Sequence, residues 1–455
     1  MRTKIRYYST NLNSPEVSFK EALLKGLAPD RGLYMPVTIP KLGHDEIDSF
    51  STASYAQIAY KIIKNYLSDE ISDEVLWSIV SDAYNFEVPL ERVTDNKYIM
   101  RLDQGPTASF KDFAARFMGR IIDHYLSEEN RKLVILTATS GDTGSAIANA
   151  FYGLENILVI VLYPQNEVTP RQRKQMTTLG KNVKILSLEG KFDDCQALVK
   201  TAFSDPELEH YNLSSANSIN IGRLIPQIVY YFYAYSRLRN SKNDDKVIFS
   251  VPSGNFGDMM GGVLGMKMGL PVKKFIIATN SNDEFPILLK TLKYNKIEPS
   301  INCISSAMNV GHPSNLARLI ALYGGTMDEK GQIFKDPDFE LMKKEIFGVS
   351  ISDELTRLTI KETYEKFNTL LEPHGAVGWA GINKWLEENK EDSDRLFVSL
   401  ETAHPAKFPE EINRIIGIDP ELPPSLSGLD HKPEFINNID NNYSSFKEWL
   451  INNLK

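Results

Sequence analysis

The chain has 455 residues, 42% of them hydrophobic and 24% charged, with a formal net charge of −8. That length exceeds what one core supports, so two or three domains are expected, and the ordinary composition excludes a disordered or fibrous chain. The acidic balance argues against a nucleic-acid partner or an anionic membrane surface, and two cysteines, Cys195 and Cys303, give neither a disulfide framework nor metal-ligand spacing.

The opening ten residues carry charge but not the apolar core of a signal peptide, and no run approaches the roughly 20 apolar residues of a spanning helix. A cytoplasmic location and no membrane partner are the expectations. Residues 1 to about 95 read as a separate leading unit. Ser18–Gly26 reads as a helix ended by glycine, residues 26–36 as an ordered loop punctuated by Gly and Pro, and helical periodicity follows at Tyr55–Leu67 and Asp73–Ala83.

The run Gly105-Pro-Thr-Ala-Ser109-Phe-Lys-Asp112 then opens a helix with apolar residues at Phe110, Phe113, Ala114, Phe117, Met118, Ile121, Ile122 and Tyr125. Ser109 stands where an N-cap belongs, with Asp112 three residues later as its partner. Lys111 therefore falls in the first turn, where the helix dipole disfavours a protonated amine. A neutral lysine amine is what covalent catalysis on a carbonyl group requires. Alone, the position also suits a solvated surface lysine.

From Leu133 the texture alternates between strand and helix. Leu133–Thr139 is a short apolar run of the kind buried in a parallel sheet, followed by Ser140-Gly-Asp-Thr-Gly144 and a small-residue helix over Ser145–Tyr152. Strands are predicted at Ile157–Leu162 and Val183–Leu188, and helices near Pro170–Leu179, Asp193–Phe203 and Leu224–Leu238. A second block starts with a strand at Lys246–Pro252, then Ser253-Gly-Asn-Phe-Gly-Asp258, a glycine-studded helix to Gly269 and a strand at Lys274–Ala278. A mostly helical stretch runs to about Glu388, a strand at Leu396–Leu400 leads to Glu401-Thr-Ala-His-Pro405, and a helix at Ser445–Leu454 closes the chain. Two such blocks imply a site in a cleft between sheets, at the carboxyl ends of strands.

Three of the loops carry chemistry. Ser253–Asp258, between strand and helix, is the setting in which backbone amides bind phosphate, although it is neither a P-loop nor a Gly-x-Gly-x-x-Gly turn. The same residues also make a plain tight turn. Ser140–Gly144 offers amides and hydroxyls at a helix start, suited to a carboxylate, or a simple cap by Ser140 or Asp142. Asn217-Ser-Ile-Asn-Ile-Gly-Arg223 places an arginine near a helix start, where it can clamp a phosphate or lie on the surface. His312, His374 and His404, weighed as acid–base groups, each neighbour a proline and lack ligand spacing, and are read as structural or as supporting groups beside the site.

Taken in order, Ser109–Asp112, Thr139–Gly144, Asn217–Arg223, Ser253–Asp258 and Glu401-Thr-Ala-His-Pro-Ala-Lys-Phe408 resemble the motifs of the threonine synthase family, within the fold type II group of pyridoxal-phosphate enzymes. The leading segment, with Tyr7–Thr10 and residues 26–36, resembles the N-terminal domain of its longer members. The resemblance implies an α/β fold of two sheet domains with the active site between them. Residues 1–95 form an N-terminal α+β domain, 96–416 the catalytic region with a smaller lobe at about 130–215, and 417–455 a C-terminal extension.

It further implies that Lys111 holds pyridoxal 5′-phosphate as a Schiff base. Gly254, Asn255, Phe256 and Gly257 cradle the cofactor phosphate, with Ser253 and Asp258 at the loop edges. Thr402 faces the ring nitrogen. Ser140, Gly141, Asp142 and Thr143 meet the substrate carboxylate and the ring, and Asn217, Ser218 and Arg223 bind the substrate phosphate. The implied reaction turns O-phospho-L-homoserine and water into L-threonine and phosphate in a monomer or homodimer. The rivals are a threonine or serine dehydratase or a phospholyase of the same group, a non-catalytic ligand-binding relative, and a nucleotide-dependent kinase. Many fold type II relatives carry Asn where Asp142 stands, so Asp142 contacts the ring or caps its helix.

Overall fold

The computed structural model describes residues 4–67, 70–139, 141–239 and 246–454. In the leading unit β1 (Tyr7–Ser9) pairs antiparallel with β2 (Tyr34–Pro36). Between them lies the helix Phe19–Lys25, held by a capping box in which Ser18 accepts the Glu21 N–H and Glu21 accepts the Ser18 N–H. The helices Tyr55–Leu67 and Asp73–Ala83 match the periodic segments of the sequence.

A hairpin of β3 (Leu90–Thr94) and β4 (Lys97–Arg101) follows, which the sequence reading did not contain. Its residues are mostly half-buried, so the alternation that marks an amphipathic strand is weak. Beyond the helix Lys111–Glu129 come β5 (Leu133–Ala138), β6 (Ile157–Pro164), β7 (Val183–Leu188) and the short β8 (Leu213–Ser214). The second block holds β9 (Val247–Pro252) and β10 (Val272–Thr279), the two-stranded ribbon of β11 (Thr326–Met327) and β12 (Ile333–Lys335), then β13 (Ile346–Ser350) and β14 (Phe397–Glu401). Near the end lies β15 (Asn437–Ile439).

These strands build a parallel five-stranded sheet of order β15-β7-β6-β5-β8 and a six-stranded sheet of order β13-β10-β9-β14-β4-β3. The second sheet is parallel except for the β3–β4 edge. The stretch expected to be mostly helical thus hides the edge strand β13, which is short and largely half-exposed. The single helix expected over Leu224–Leu238 is broken. A turn of α-helix at Ile221–Leu224 passes through a 3₁₀ turn, Ile225–Ile228, into the helix Val229–Leu238, because Pro226 has no N–H to continue the α ladder.

One continuous apolar core runs from Tyr7, Phe19 and Ile62 of the leading unit through Phe117 to Phe249 and Phe275 of the larger sheet. A second joins Leu136, Ile160 and Leu186 of the five-stranded sheet to Phe446 and Leu450 of the last helix, Tyr443–Asn453. Every motif singled out in the sequence follows the carboxyl end of a parallel strand: β4, β5, β8, β9 and β14. Such ends face the crevice where open α/β sheets bind ligands. Among the described residues no helix is long and apolar enough to cross a membrane.

Candidate active site

Lys111 is the first residue of its helix, but the expected cap is not the one that forms. The Ser109 hydroxyl is buried without a partner, and the helix has no side-chain cap. Asp112 instead reaches back to Thr107, accepting its N–H at 2.8 Å and its hydroxyl at 2.6 Å. The loop is stitched to the segment after β14, with Phe110 N–H donating to the Thr402 carbonyl at 2.9 Å and His404 N–H to the Ala108 carbonyl at 3.0 Å. Those two bonds place Thr402 beside Lys111.

The Lys111 side chain is 14% exposed, with Nζ 4.0 Å from Asp142 Oδ2. Burial is the main force that lowers the pKa of its amine, Lys407 and Arg223 adding repulsion while Asp142 and Asp258 oppose. The direction agrees with the helix-start argument, but its leading cause is loss of solvent.

Asp142 opens the helix Asp142–Phe151 without capping it. The N-cap position is Gly141, and the Thr139 hydroxyl just before it accepts the Gly141 N–H at 2.9 Å and the Gly144 N–H at 2.7 Å; the helix begins three residues before the expected Ser145. Asp142 Oδ1 lies 2.6 Å from Lys407 Nζ and accepts from Gln172 Nε2 at 2.8 Å. Burial raises its pKa, yet the cations of Lys407 and Lys111 outweigh that and hold it well below the usual carboxylate range. Gly141, at φ 133°, closes on the Gln172 amide, which an added Cβ would meet at 2.7 Å. Thr143 is half-buried in the first helical turn, and Ser140 lies outside the described residues.

The Asn217–Arg223 loop leaves β8. Asn217 Oδ1 accepts from the Thr137 hydroxyl, and Asn220 caps the short helix by accepting the Gly222 N–H at 2.9 Å. The buried Arg223 donates to the Ala216 carbonyl at 2.8 Å while its Nε has no partner. Burial lowers this guanidinium to about 10, and among the described residues no carboxylate forms an ion pair with it. A buried cation so placed is stabilised by an anion from solution.

At the end of β9, Phe256 adopts a left-handed φ of 61° and the helix Gly257–Met268 begins without a side-chain cap. The backbone N–H groups of Gly254, Asn255, Phe256 and Gly257 find no acceptor among the described residues. Ser253 hydrogen-bonds the Val251 carbonyl at 3.2 Å. Asn255 is turned away, its Oδ1 accepting the Ser314 N–H at 3.1 Å and its carbonyl accepting from Asn315 Nδ2 at 2.9 Å. Asp258 is buried, and burial pushes its carboxyl up to about 7. Ser218 borders this loop, since a Cβ on Gly257 would lie 3.7 Å from the Ser218 Cβ.

Thr402 donates to Glu372 Oε1 at 3.3 Å, and the other Glu372 oxygen accepts the His374 N–H at 2.7 Å. His374 Nε2 accepts the Ala307 N–H at 3.0 Å, so its proton sits on Nδ1, facing Glu372. His404 is pushed down to about 4 by burial and by Arg101 and Lys407. His312 pairs with Tyr294 at 2.6 Å. The segments named from sequence therefore converge on Lys111. Sequence reasoning missed Lys407, Gln172, Glu372, Asn315 and Arg318. Of these, Lys407 stands inside the quoted 401–408 run, whereas the others lie in stretches without a local signature.

Four free N–H groups at a helix N-terminus fit a phosphate. A buried amine whose pKa is lowered fits an aldehyde. These donor sets match pyridoxal phosphate, and the partnerless Arg223 Nε accommodates a second anion.

Comparison with known proteins agrees. A family described as "Pyridoxal-phosphate dependent enzyme" matches residues 88–401, and families described as "Threonine synthase N terminus" and "Threonine synthase, C-terminal" match residues 6–84 and 375–450. A threonine synthase of Buchnera aphidicola subsp. Schizaphis graminum is 39% identical over 98% of this chain and 100% of its own length. The chain belongs to the threonine synthase family. Solved structures bear out the fold type II architecture of this threonine synthase family member. The threonine synthase from yeast aligns with TM-score 0.90 at 33% identity over 99% of this chain and 98% of that one. The PLP-bound threonine synthase from Brucella melitensis aligns with TM-score 0.89 at 34% identity over 98% of both.

Proposed function

We propose that the enzyme converts O-phospho-L-homoserine and water to L-threonine and inorganic phosphate with pyridoxal 5′-phosphate as cofactor. The observation that carries this reading is a buried lysine amine flanked by two anion-ready loops, one with four N–H groups that find no acceptor among the described residues and the other with a buried arginine whose Nε has no partner there. A dehydratase has one phosphate to hold, that of its cofactor. This chain has provision for two.

Lys111 binds the cofactor through its amine. Gly254, Asn255, Phe256 and Gly257 hold the cofactor phosphate, with Ser253 and Asp258 at the margins of the loop. Thr402, its hydroxyl engaged by Glu372, faces the ring nitrogen. Ser140, Gly141 and Thr143 receive the substrate carboxylate. Asp142, kept anionic by Lys407, stands against the ring. Asn217, Ser218 and Arg223 bind the substrate phosphate. When bound, pyridoxal phosphate supplies an electrophilic carbonyl and a conjugated ring that accepts the electron pair released at carbon.

The Lys111 amine, freed of its own bond and of low basicity for a lysine, takes the proton from the substrate α-carbon. A proton must also leave the β-carbon, so that the electron pair left behind expels phosphate as the γ-carbon–oxygen bond breaks. Arg223, which forms no ion pair with a carboxylate among the described residues, stabilises the charge that gathers on the phosphate oxygen. A proton is then delivered to the γ-carbon, water adds at the β-carbon and a proton returns to the α-carbon, which gives threonine.

The test is to supply O-phospho-L-homoserine to the purified holoenzyme and assay threonine and phosphate together, with Arg223→Ala alongside. Equal release of both by the wild type, and little by the variant, is expected. Phosphate without threonine would indicate a phospholyase. Neither product from protein that carries the yellow cofactor would point to a dehydratase.

A further inference from the structure

A second buried cation has no task in that scheme. Arg318 is the largest fully buried side chain in the structure, and among the described residues no carboxylate forms an ion pair with it. Its Nε donates to the Tyr34 carbonyl at 3.1 Å, one terminal nitrogen to the Ser218 carbonyl at 3.1 Å and Asn315 Oδ1 at 2.7 Å, and the other to the Ile219 carbonyl at 2.6 Å. Arg223 holds the neighbouring Ala216 carbonyl. Two guanidinium groups thus grip residues 216–219 through carbonyl oxygens alone, and among the described residues neither forms an ion pair with a carboxylate. A planar guanidinium spreads five N–H donors over a rigid fork and so reaches carbonyls that lie apart, whereas an ammonium carries its three donors on one nitrogen.

The loop is also seated on the leading unit. Asn220 Nδ2 donates to the Leu23 carbonyl at 2.8 Å and the Ser214 hydroxyl to the Leu24 carbonyl at 2.9 Å. A Cβ on Gly222 would lie 2.3 Å from Leu23 Cδ1, so the two elements are in close contact there. Asn315 ties the same loop to the Ser253–Asp258 turn by donating to the Ser218 carbonyl at 3.3 Å and the Asn255 carbonyl at 2.9 Å.

We propose that Arg318 is a positioning residue for the substrate phosphate: anchored on Tyr34 of the leading unit, it draws the Ser218 and Ile219 carbonyls toward itself and away from the anion. It also supplies, with Arg223, the second positive charge that a phosphate-ester dianion balances. The leading unit is then the back wall of the phosphate loop. This inference rests on the placement of the substrate phosphate at Asn217–Arg223 given above.

The experiment compares wild type, Arg318→Met, Arg318→Lys and Arg223→Ala as holoenzymes. It measures KM and kcat for O-phospho-L-homoserine, inhibition by inorganic phosphate, and the affinity for L-serine read from the cofactor absorbance. For Arg318→Met, KM and the inhibition constant for phosphate should rise together by about tenfold, equivalent to about 1.4 kcal/mol of lost attraction, while L-serine affinity stays within about twofold. Arg318→Lys keeps the charge but cannot reach three carbonyls, and should show a rise of about threefold. A merely structural role would weaken L-serine and phosphate alike and overturn the proposal. So would unchanged phosphate constants in Arg318→Met while Arg223→Ala raises them. If Arg223→Ala also leaves them unchanged, the underlying placement of the phosphate is what fails. Should Arg318→Met not fold, Arg318→Lys decides: a phosphate-selective rise supports the proposal, and wild-type constants overturn it.

Discussion

Replacing Lys407 by methionine tests the electrostatic logic of the site most directly. The lysine side chain is fully buried, with Nζ 2.6 Å from Asp142 Oδ1 and donating to the Thr107 carbonyl at 2.8 Å. Without it, Asp142 keeps the Gln172 amide at 2.8 Å and only the more distant Lys111 at 4.0 Å. Removing one member of a buried pair costs about 3–5 kcal/mol, because an uncompensated charge stays inside; the residual field of Lys111 puts the expected loss near the lower end, about 3 kcal/mol. Removing both charges in Asp142→Asn/Lys407→Met should recover about 2 kcal/mol relative to the sum of the single variants. The pH dependence has a definite sign. In the wild type the Asp142 carboxyl lies below its unfolded value, so its stabilisation is present above about pH 4 and is lost as pH falls further. In Lys407→Met burial raises that pKa instead, so the deficit against wild type should narrow as pH falls from about 7 toward about 4. The assay is urea unfolding of the holoenzyme, followed by tryptophan fluorescence and far-UV circular dichroism with coincident transitions. A loss below about 1 kcal/mol, or a double variant as unstable as the summed singles, would refute the reasoning.

Two further outcomes follow from buried groups. Glu284 is buried with Oε2 unpartnered, and burial pushes its carboxyl up to about 8. A carboxyl raised on folding favours the folded state below its unfolded pKa and loses that contribution as pH rises through the folded value, so stability should decline from about pH 5 to about pH 9 by at most on the order of 4 kcal/mol. Glu284→Gln should flatten this decline, and parallel unfolding profiles for the two proteins would exclude Glu284 as its source. Thr139→Val keeps the shape of the side chain but strands the Gly141 and Gly144 N–H groups that its hydroxyl accepts, costing about 1–3 kcal/mol. Thr139→Ser should restore most of that stability in the same denaturation assay.

The helices and central strands of this chain were legible because their signals are local. The apolar spacing of Tyr55–Leu67 and Asp73–Ala83, and the continuous runs of β5, β7 and β9, each declare one element without reference to any other. The same holds for the strand–loop–helix turn at Ser253–Asp258, where the free amides of a helix start belong to one contiguous stretch. Edge elements were not legible. The β3–β4 hairpin and β13 are half-buried, and partial burial blurs the alternation that defines a strand.

The sequence by itself determined that Lys111 begins a helix and that two anion-suited loops follow strands. It also pointed to a lowered pKa for that lysine, although by the wrong leading cause. Only the tertiary structure decided what surrounds the amine. The sheet order β9-β14-β4 lays the Thr402 segment against the Lys111 loop, and the fold sets Lys407 on Asp142 and Arg318 on the carbonyls of Ser218 and Ile219. Ser109 and Asp112, read locally, made a cap; in the folded chain Asp112 serves Thr107 and the Ser109 hydroxyl has no partner among the described residues. The difference is physical. Periodicity and caps are set by neighbours within about a helical turn, whereas a buried charge takes its partner and its pKa from whichever segments the sheets bring to the same strand ends.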